Sequence, residues 1–254
     1  MTTLELAGLL AFAHRLGDVA REIAARAFTA DVPVDRKDDR TPVTAVDREI
    51  EAVWRDAIAR EHPGHGVLGE EAGGEHVDRE WVWVLDPIDG TKAFASGNPL
   101  FGSLIGLMHR GVPVVGVLEA PALRQRWSAA QGHGAHHDGR PIRVRRERAL
   151  ADAVLYCTTP DAMLDDPGFA ALRRRVQWTS YGGDCCAYAF VASGRADLVV
   201  DVGLKPWDWC ALVPIVQEAG GVLFDASLRT PTLRSVGAFV CASGAALAQQ
   251  SIAR

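Results

Sequence analysis

The apolar positions of MTTLELAGLLAFAHRLGDVAREIAARAF, residues 1–28, recur three and four residues apart. That spacing predicts an amphipathic helix to about residue 28, and a second helix follows over 45–60. Beyond it the pattern changes to strands. WVWVL (81–85) is a short, continuously apolar run that reads as a buried strand. FGSLIGLMHRGVPVVGVLEAP reads as a strand pair joined around Arg110 and Gly111, with RWSAA as a third strand. From about residue 153 strands and helices alternate. A strand at 153–157 precedes a helix near 165–174. A helix over 184–193 leads to the strand ADLVVDV. A helix over 208–219 closes on Gly220 and Gly221, and VLFD follows. Alternation at this spacing predicts an α/β arrangement. The expected fold class is therefore α/β, an α+β half (1–145) joined to an α/β half (146–254), with the join near 141–152.

Composition narrows the picture without deciding it. A chain of 254 residues, 48% apolar and 23% charged, can bury a large core as one big domain or two intimate halves. A net charge of −5 argues against a nucleic-acid surface, which is normally basic. No apolar run approaches the roughly 20 residues of a membrane span, and the start lacks the basic residues and cleavage site of a signal peptide. Five cysteines, an odd number with no CxxC pair, fit a reducing cytoplasm better than a disulfide framework.

Candidate chemistry begins where the apolar run ends, in WVLDPIDGTKAF (83–94). Pro87 pushes Asp86 into extended geometry, so the strand delivers that carboxylate at its end. Asp89 follows one tight turn later, where it and the Ile88 carbonyl can converge with Asp86. Gly90 allows a close backbone approach, and Thr91 starts a helical turn with free N–H groups. Hard divalent cations take oxygen ligands and helix N-termini take phosphate, so one segment offers both halves of a metal-assisted phosphate site. The competing reading is an Asx-turn with Asp89 as a helix cap.

Further acids shift the balance. GVLGEEAGG places Glu70 and Glu71 where an apolar strand ends in glycines. TPVTAVDREIE places Asp47 early in a helix, and KPWDWCALVPIVQEAGG places Asp208 in a first turn. Each alone reads as loop charge or as an acid favoured by the helix dipole. Asp208, however, lies between Trp207 and Trp209, an unusual setting for a solvated cap.

Together DPIDGT, GEE, TPVTAVD and KPWDWCALVPIVQEAGG resemble the inositol monophosphatase family of magnesium-dependent, lithium-sensitive phosphatases, over roughly residues 35–225. The resemblance implies a layered αβαβα sandwich, usually a homodimer. It implies that Glu70, Asp86, Asp89, Asp208 and the Ile88 carbonyl hold two or three magnesium ions, with manganese as a substitute. Gly90 and Thr91 would meet the phosphate, alongside Asp89 and Asp208. Asp47 would pair with the Thr91 hydroxyl to orient and deprotonate the attacking water, so that Asp47, Thr91 and Glu70 form the catalytic set. An all-carboxylate donor set also suits magnesium or manganese better than zinc. A mobile loop of the family here carries Lys37 and Asp38.

The segments YGGDCCAYAFVASG and DLVVDVGLKPWDW look most like the histidinol-phosphatase branch, which acts in histidine biosynthesis. Asp184 and Asp201 are the expected contacts to the ammonium of such a substrate, although Asp184 could instead cap its helix. Inositol phosphate is the alternative substrate, and a non-catalytic regulatory relative is the alternative from another class. The partner expected is a small phosphorylated metabolite, with neither nucleic acid nor membrane. The histidines of GHGAHHDG are read as part of a hairpin turning at Asp138 and Gly139, not as a zinc site.

Overall fold

Val82 and Val84 pack to one side of their strand, Trp83 and Leu85 to the other, and both sides are buried. A strand of this kind needs a layer above and a layer below. The computed structural model, which describes residues 2–28, 34–36, 42–158 and 160–252, supplies both. The expectations for Lys37 and Asp38 lie outside the described residues.

Helix α1 (Thr3–Phe28) is followed by the short antiparallel pair β1 (Val34–Arg36) and β2 (Pro42–Thr44), then by α2 (Ala45–Glu61). Strands β3 (Gly66–Gly69), β4 (Gly73–Glu75) and β5 (Trp81–Asp89) lead to the one-turn helix α3 (Thr91–Ala95). Strands β6 (Gly102–His109), β7 (Val112–Ala120), β8 (Gln125–Ala130), β9 (Ala135–His137) and β10 (Arg140–Pro141) complete an eight-stranded sheet in the order β10-β9-β8-β7-β6-β5-β3-β4. Its ladders are antiparallel except between β3 and β5. Both anticipated turns form with left-handed residues, Arg110-Gly111 and Asp138-Gly139.

The remaining chain runs β11 (Val154–Cys157), α4 (Pro160–Met163), α5 (Pro167–Arg173), β12 (Trp178–Tyr181), α6 (Asp184–Ala192), β13 (Leu198–Val202), α7 (Pro206–Trp209), α8 (Leu212–Glu218), β14 (Val222–Asp225), β15 (Ala238–Ala242) and α9 (Ala245–Ile252). A five-stranded sheet forms in the order β12-β11-β13-β15-β14. Three core clusters give the layers. Leu9 and Phe12 of α1 and Trp54 of α2 pack on Trp83, Leu85 and Ile105. Val82, Val84 and Leu104 pack on Val191 of α6 and Ile215 of α8, which meet Val199 and Phe239 on the far side. Leu155, Leu198 and Val240 cover Phe169 of α5 and Leu247 of α9. The order is helix, sheet, helix, sheet, helix, the expected sandwich. The middle cluster draws residues from both sides of position 145.

Two elements differ from expectation. The helix expected over 208–219 starts earlier and comes as two pieces, α7 and α8. Pro214 has no N–H for the Cys210 carbonyl, which interrupts the ladder while Cys210 and Ala211 keep helical angles. Its end follows the expectation: Gly220 is left-handed, Gly220 N–H donates to Gln217 and Gly221 N–H to Val216, a Schellman close. Strand β5 does not stop at Leu85. It continues to Asp89 with a register shift between Asp86 and Asp89, where Pro87 contributes no donor to the ladder.

Candidate metal centre

The register break in β5 brings Asp86 and Asp89 toward one point, and the first turn of α7 brings Asp208 to the same place. One carboxylate oxygen from each lies within 4.8 Å of the others. Asp208 is held there because its carboxylate accepts the Lys205 N–H at 2.6 Å, as a capping acid does. The cap and the convergence coexist. Asp89 is no cap: Gly90 occupies that position of α3, and Asp89 instead accepts the Cys185 N–H at 2.6 Å. Glu70, in the turn after β3, donates its N–H to the Leu85 carbonyl at 3.1 Å, and its carboxyl is close enough to act on Asp86.

Such a group is electrostatically unfavourable on its own. Asp86 is only 1% exposed, and one of its oxygens is buried with no hydrogen-bond partner among the described residues. Burial, then the charges of Glu70, Asp89 and Asp208, hold its carboxyl well above the usual range. Burial likewise pushes Asp89 and Asp208 up to about 7, with Asp208 adding to the effect on Asp89 and Glu70 to that on Asp208. Three converging carboxyls with an orphaned buried oxygen, and Glu70 beside them, fit a hard divalent cation, which would restore the ionised forms. The donor set is all oxygen, so a soft-metal site is a poor match.

Asp47 is 0% exposed and forms the capping box of α2, accepting the Thr44 N–H at 2.9 Å and the Thr44 hydroxyl. Its other oxygen is buried without a partner among the described residues, and burial raises its carboxyl. The pairing expected between Asp47 and Thr91 is not formed. The Thr91 hydroxyl donates its one proton to the Ile88 carbonyl at 3.0 Å, which orients the carbonyl expected to be a metal ligand.

Beside these acids lies a crevice of about 210 Å³, whose lining includes Asp89, Thr158, Asp184, Tyr188, Leu204 and Asp208. Asp184 follows Gly182 and Gly183, and all three have positive φ, which costs the glycines nothing but strains Asp184. Gly183 is the cap residue of α6, so Asp184 does not take the capping position. A Cβ on Gly90 would lie 2.8 Å from the Asp184 carboxylate, so glycine there lets Asp184 close in. Burial, then Asp89 and Asp201, push Asp184 up to about 7.

Asp201 does not face the crevice as expected. It is 1% exposed, and its two oxygens accept the Thr158 N–H at 2.7 Å and the Tyr188 hydroxyl at 2.8 Å. It lies behind the wall and orders two lining residues. Thr158 and Tyr188 were not singled out from the sequence. The spacing of Tyr188, four residues after Asp184 on one helix face, was the available signal.

A profile described as the inositol monophosphatase family matches residues 5–254. The chain belongs to that family. It is 40% identical over 223 residues to a histidinol-phosphatase of Mycobacterium tuberculosis, covering 84% of this chain and 86% of that one. It is 38% identical over 229 residues to a bifunctional phosphatase, chloroplastic IMPL2, of Arabidopsis thaliana, covering 89% of this chain but only 66% of that longer one. The structure of an inositol monophosphatase from Zymomonas mobilis superposes with a TM-score of 0.89 at 37% identity, over 99% of this chain and 98% of that one. These relatives are phosphoric monoester hydrolases, and phosphatase chemistry is the activity of this inositol monophosphatase family member.

Proposed function

We propose that this phosphatase hydrolyses histidinol phosphate with magnesium, in the cytoplasm, as a step of histidine biosynthesis. The observation that carries the reading is Asp184, a carboxylate lining a small crevice beside the three converging acids. Histidinol phosphate carries an ammonium and an imidazole beyond its phosphate, whereas inositol phosphate offers only hydroxyls. A crevice of about 210 Å³ lies below the roughly 300–1,000 Å³ of drug-sized pockets, which favours a small metabolite over a nucleoside bisphosphate. The 40% identity to a histidinol-phosphatase supports the same choice. The five cysteines are free and buried, in keeping with a reducing cytoplasm. The homodimer implied by the resemblance is part of the proposal, and light scattering reads it directly.

Glu70, Asp86, Asp89, Asp208 and the Ile88 carbonyl would hold the cations. Bound magnesium supplies charge neutralisation for the phosphate dianion and a lower pKa for the attacking water. The chain's own groups do the rest. The N–H groups of Gly90 and Thr91, at the start of α3 where no intrahelical acceptor exists, receive phosphate oxygens. Asp47 takes the proton of the attacking water at its unpartnered oxygen, and its raised pKa makes it a better base. Asp184 receives the substrate ammonium, and Thr158 and Tyr188 shape the wall that Asp201 orders.

The test is phosphate release from histidinol phosphate, inositol 1-phosphate and an adenosine bisphosphate, with magnesium and with excess chelator. The expected result is chelator-sensitive release that is fastest on histidinol phosphate. Equal efficiency on inositol 1-phosphate would overturn the substrate, and release in excess chelator would overturn the metal.

A further inference from the structure

Helix α2 carries a second buried acid one turn after Asp47. Glu51 is 1% exposed, and nothing in the hydrolytic chemistry calls for it. One oxygen accepts the Arg55 Nε–H at 2.8 Å and the Ala72 N–H at 3.1 Å, and the other accepts the Glu71 N–H at 2.8 Å. Arg55 in turn donates to the Gly73 carbonyl at 2.5 Å. The carboxylate also fills the side-chain space of Gly69, where a Cβ would lie 2.2 Å from one of its oxygens. Glu70 therefore sits between a glycine packed on Glu51 and a residue hydrogen-bonded to Glu51. Its own N–H is fixed to the carbonyl of Leu85, the residue before Asp86.

We propose that Glu51 is a positioning residue for the metal centre: its carboxylate, clamped by Arg55, fixes the 69–73 turn and so sets Glu70 against Asp86. Asp47 and Glu51 are four apart on α2, so a single helix face holds the catalytic base and the tether of a metal ligand at one spacing. The charge of Glu51 suits two backbone donors and a guanidinium, all of which only donate. A glutamine would turn one oxygen into a donor, facing an N–H. The consequence is a misplaced ligand rather than a lost one. Outer partners of metal ligands typically change affinity by about ten- to a hundredfold.

The inference rests on the metal reading above, and the experiment separates the two. Metal-free wild type, Glu51→Gln, Gly69→Ala and Arg55→Lys are titrated with magnesium chloride by calorimetry, and their metal-free melting is recorded. Glu51→Gln should bind magnesium about tenfold or more weakly, with the Michaelis constant at saturating magnesium little changed. Gly69→Ala should act in the same direction, because its methyl displaces the far end of the Glu51 side chain rather than backbone. The double variant should be no worse than the poorer single one, since both break one contact. If Glu51→Gln does not fold, Gly69→Ala and Arg55→Lys carry the test. Wild-type binding in the folded variants, with only their melting lowered, makes the tether structural and overturns the inference alone. Failure of wild type to bind magnesium overturns both readings.

Discussion

Asp86 has a buried oxygen with no donor among the described residues, in a place crowded by Glu70, Asp89 and Asp208. Asp86→Asn relieves the repulsion, so the variant should fold. It should also lose at least about a thousandfold in turnover, taking some 4 kcal/mol as the transition-state loss. Near-normal turnover of the folded variant sinks the metal assignment. Asp184 and Asp201 separate in the same way. An ion-paired hydrogen bond contributes roughly 1.5–3 kcal/mol, so Asp184→Asn should raise the Michaelis constant for histidinol phosphate about ten- to a hundredfold. A phosphate ester whose leaving group carries no charge should be little affected. Asp201→Asn should instead lower stability by about 1 kcal/mol, because its oxygen can keep the Thr158 N–H and its amide can donate to the Tyr188 hydroxyl but the charge-assisted strength is lost, and it should not discriminate between esters. The reverse ordering in steady-state kinetics would restore Asp201 to the crevice. The metal acids were legible because turn chemistry dictates where a strand-end acid goes. Asp201 departs from its expectation because strand alternation, not its nearness to Asp208 in the chain, sets the side it faces. In β13, Leu198 and Val200 face α5 and α9, so Asp201 falls with Val199 on the side of α6, where Tyr188 waits.

The elements explain how Asp208 reaches acids that are distant in sequence. Gly106 of β6 and Gly116 of β7 are direct cross-strand partners. They leave a flat place on the sheet, and the α7–α8 junction lies on it. A Cβ on Gly116 would lie 1.9 Å from the Ala211 carbonyl oxygen, and one on Gly106 2.6 Å from the Cys210 sulfur. The depth of that contact sets how far α7 lowers Asp208 toward Asp86. Gly116→Ala meets backbone, which cannot rotate away. It should cost about 1–3 kcal/mol or more in a denaturant melt, as overpacking does, and should weaken magnesium binding through Asp208. Unchanged metal affinity in the folded variant would show that Asp208 is placed independently of this contact. The sequence displays both glycines but not their pairing, because register between β6 and β7 is a tertiary fact. The strands themselves, and the hairpin at Arg110-Gly111, were readable from local pattern and turn residues. The split between α7 and α8 was also available in principle, since Pro214 removes a helix donor whatever surrounds it.

On the scale of the whole molecule, the acids come from both sides of position 145 and meet where the large sheet faces α6 and α7. A chain folded around such a cluster carries its repulsion in its stability. Burial raises Asp86, Asp89, Asp184 and Asp208, the last three to about 7. A carboxyl raised on folding holds its proton more tightly in the native state than in the unfolded one. Its stabilising contribution is full below the ordinary value near 4 and is lost as pH rises through the folded value near 7. Over that window the native state binds more protons than the unfolded state, so the metal-free protein is destabilised by these groups with increasing pH. A divalent cation binds the ionised forms, so its binding releases protons and tightens as pH rises. It binds the native state only, and so it raises the melting temperature by mass action. The two effects act in the same direction on the difference between metal-saturated and metal-free protein. That difference in Tm should widen steadily from about pH 5.5 to about pH 7.5, then level off once the cluster is ionised. Asp89→Asn should flatten the trend, since it removes one titrating partner and one ligand together. Scanning fluorimetry at fixed magnesium across that range reads the outcome. A gap that stays constant with pH would mean that the cluster is ionised without its cation, and the raised carboxyls would no longer support a metal centre.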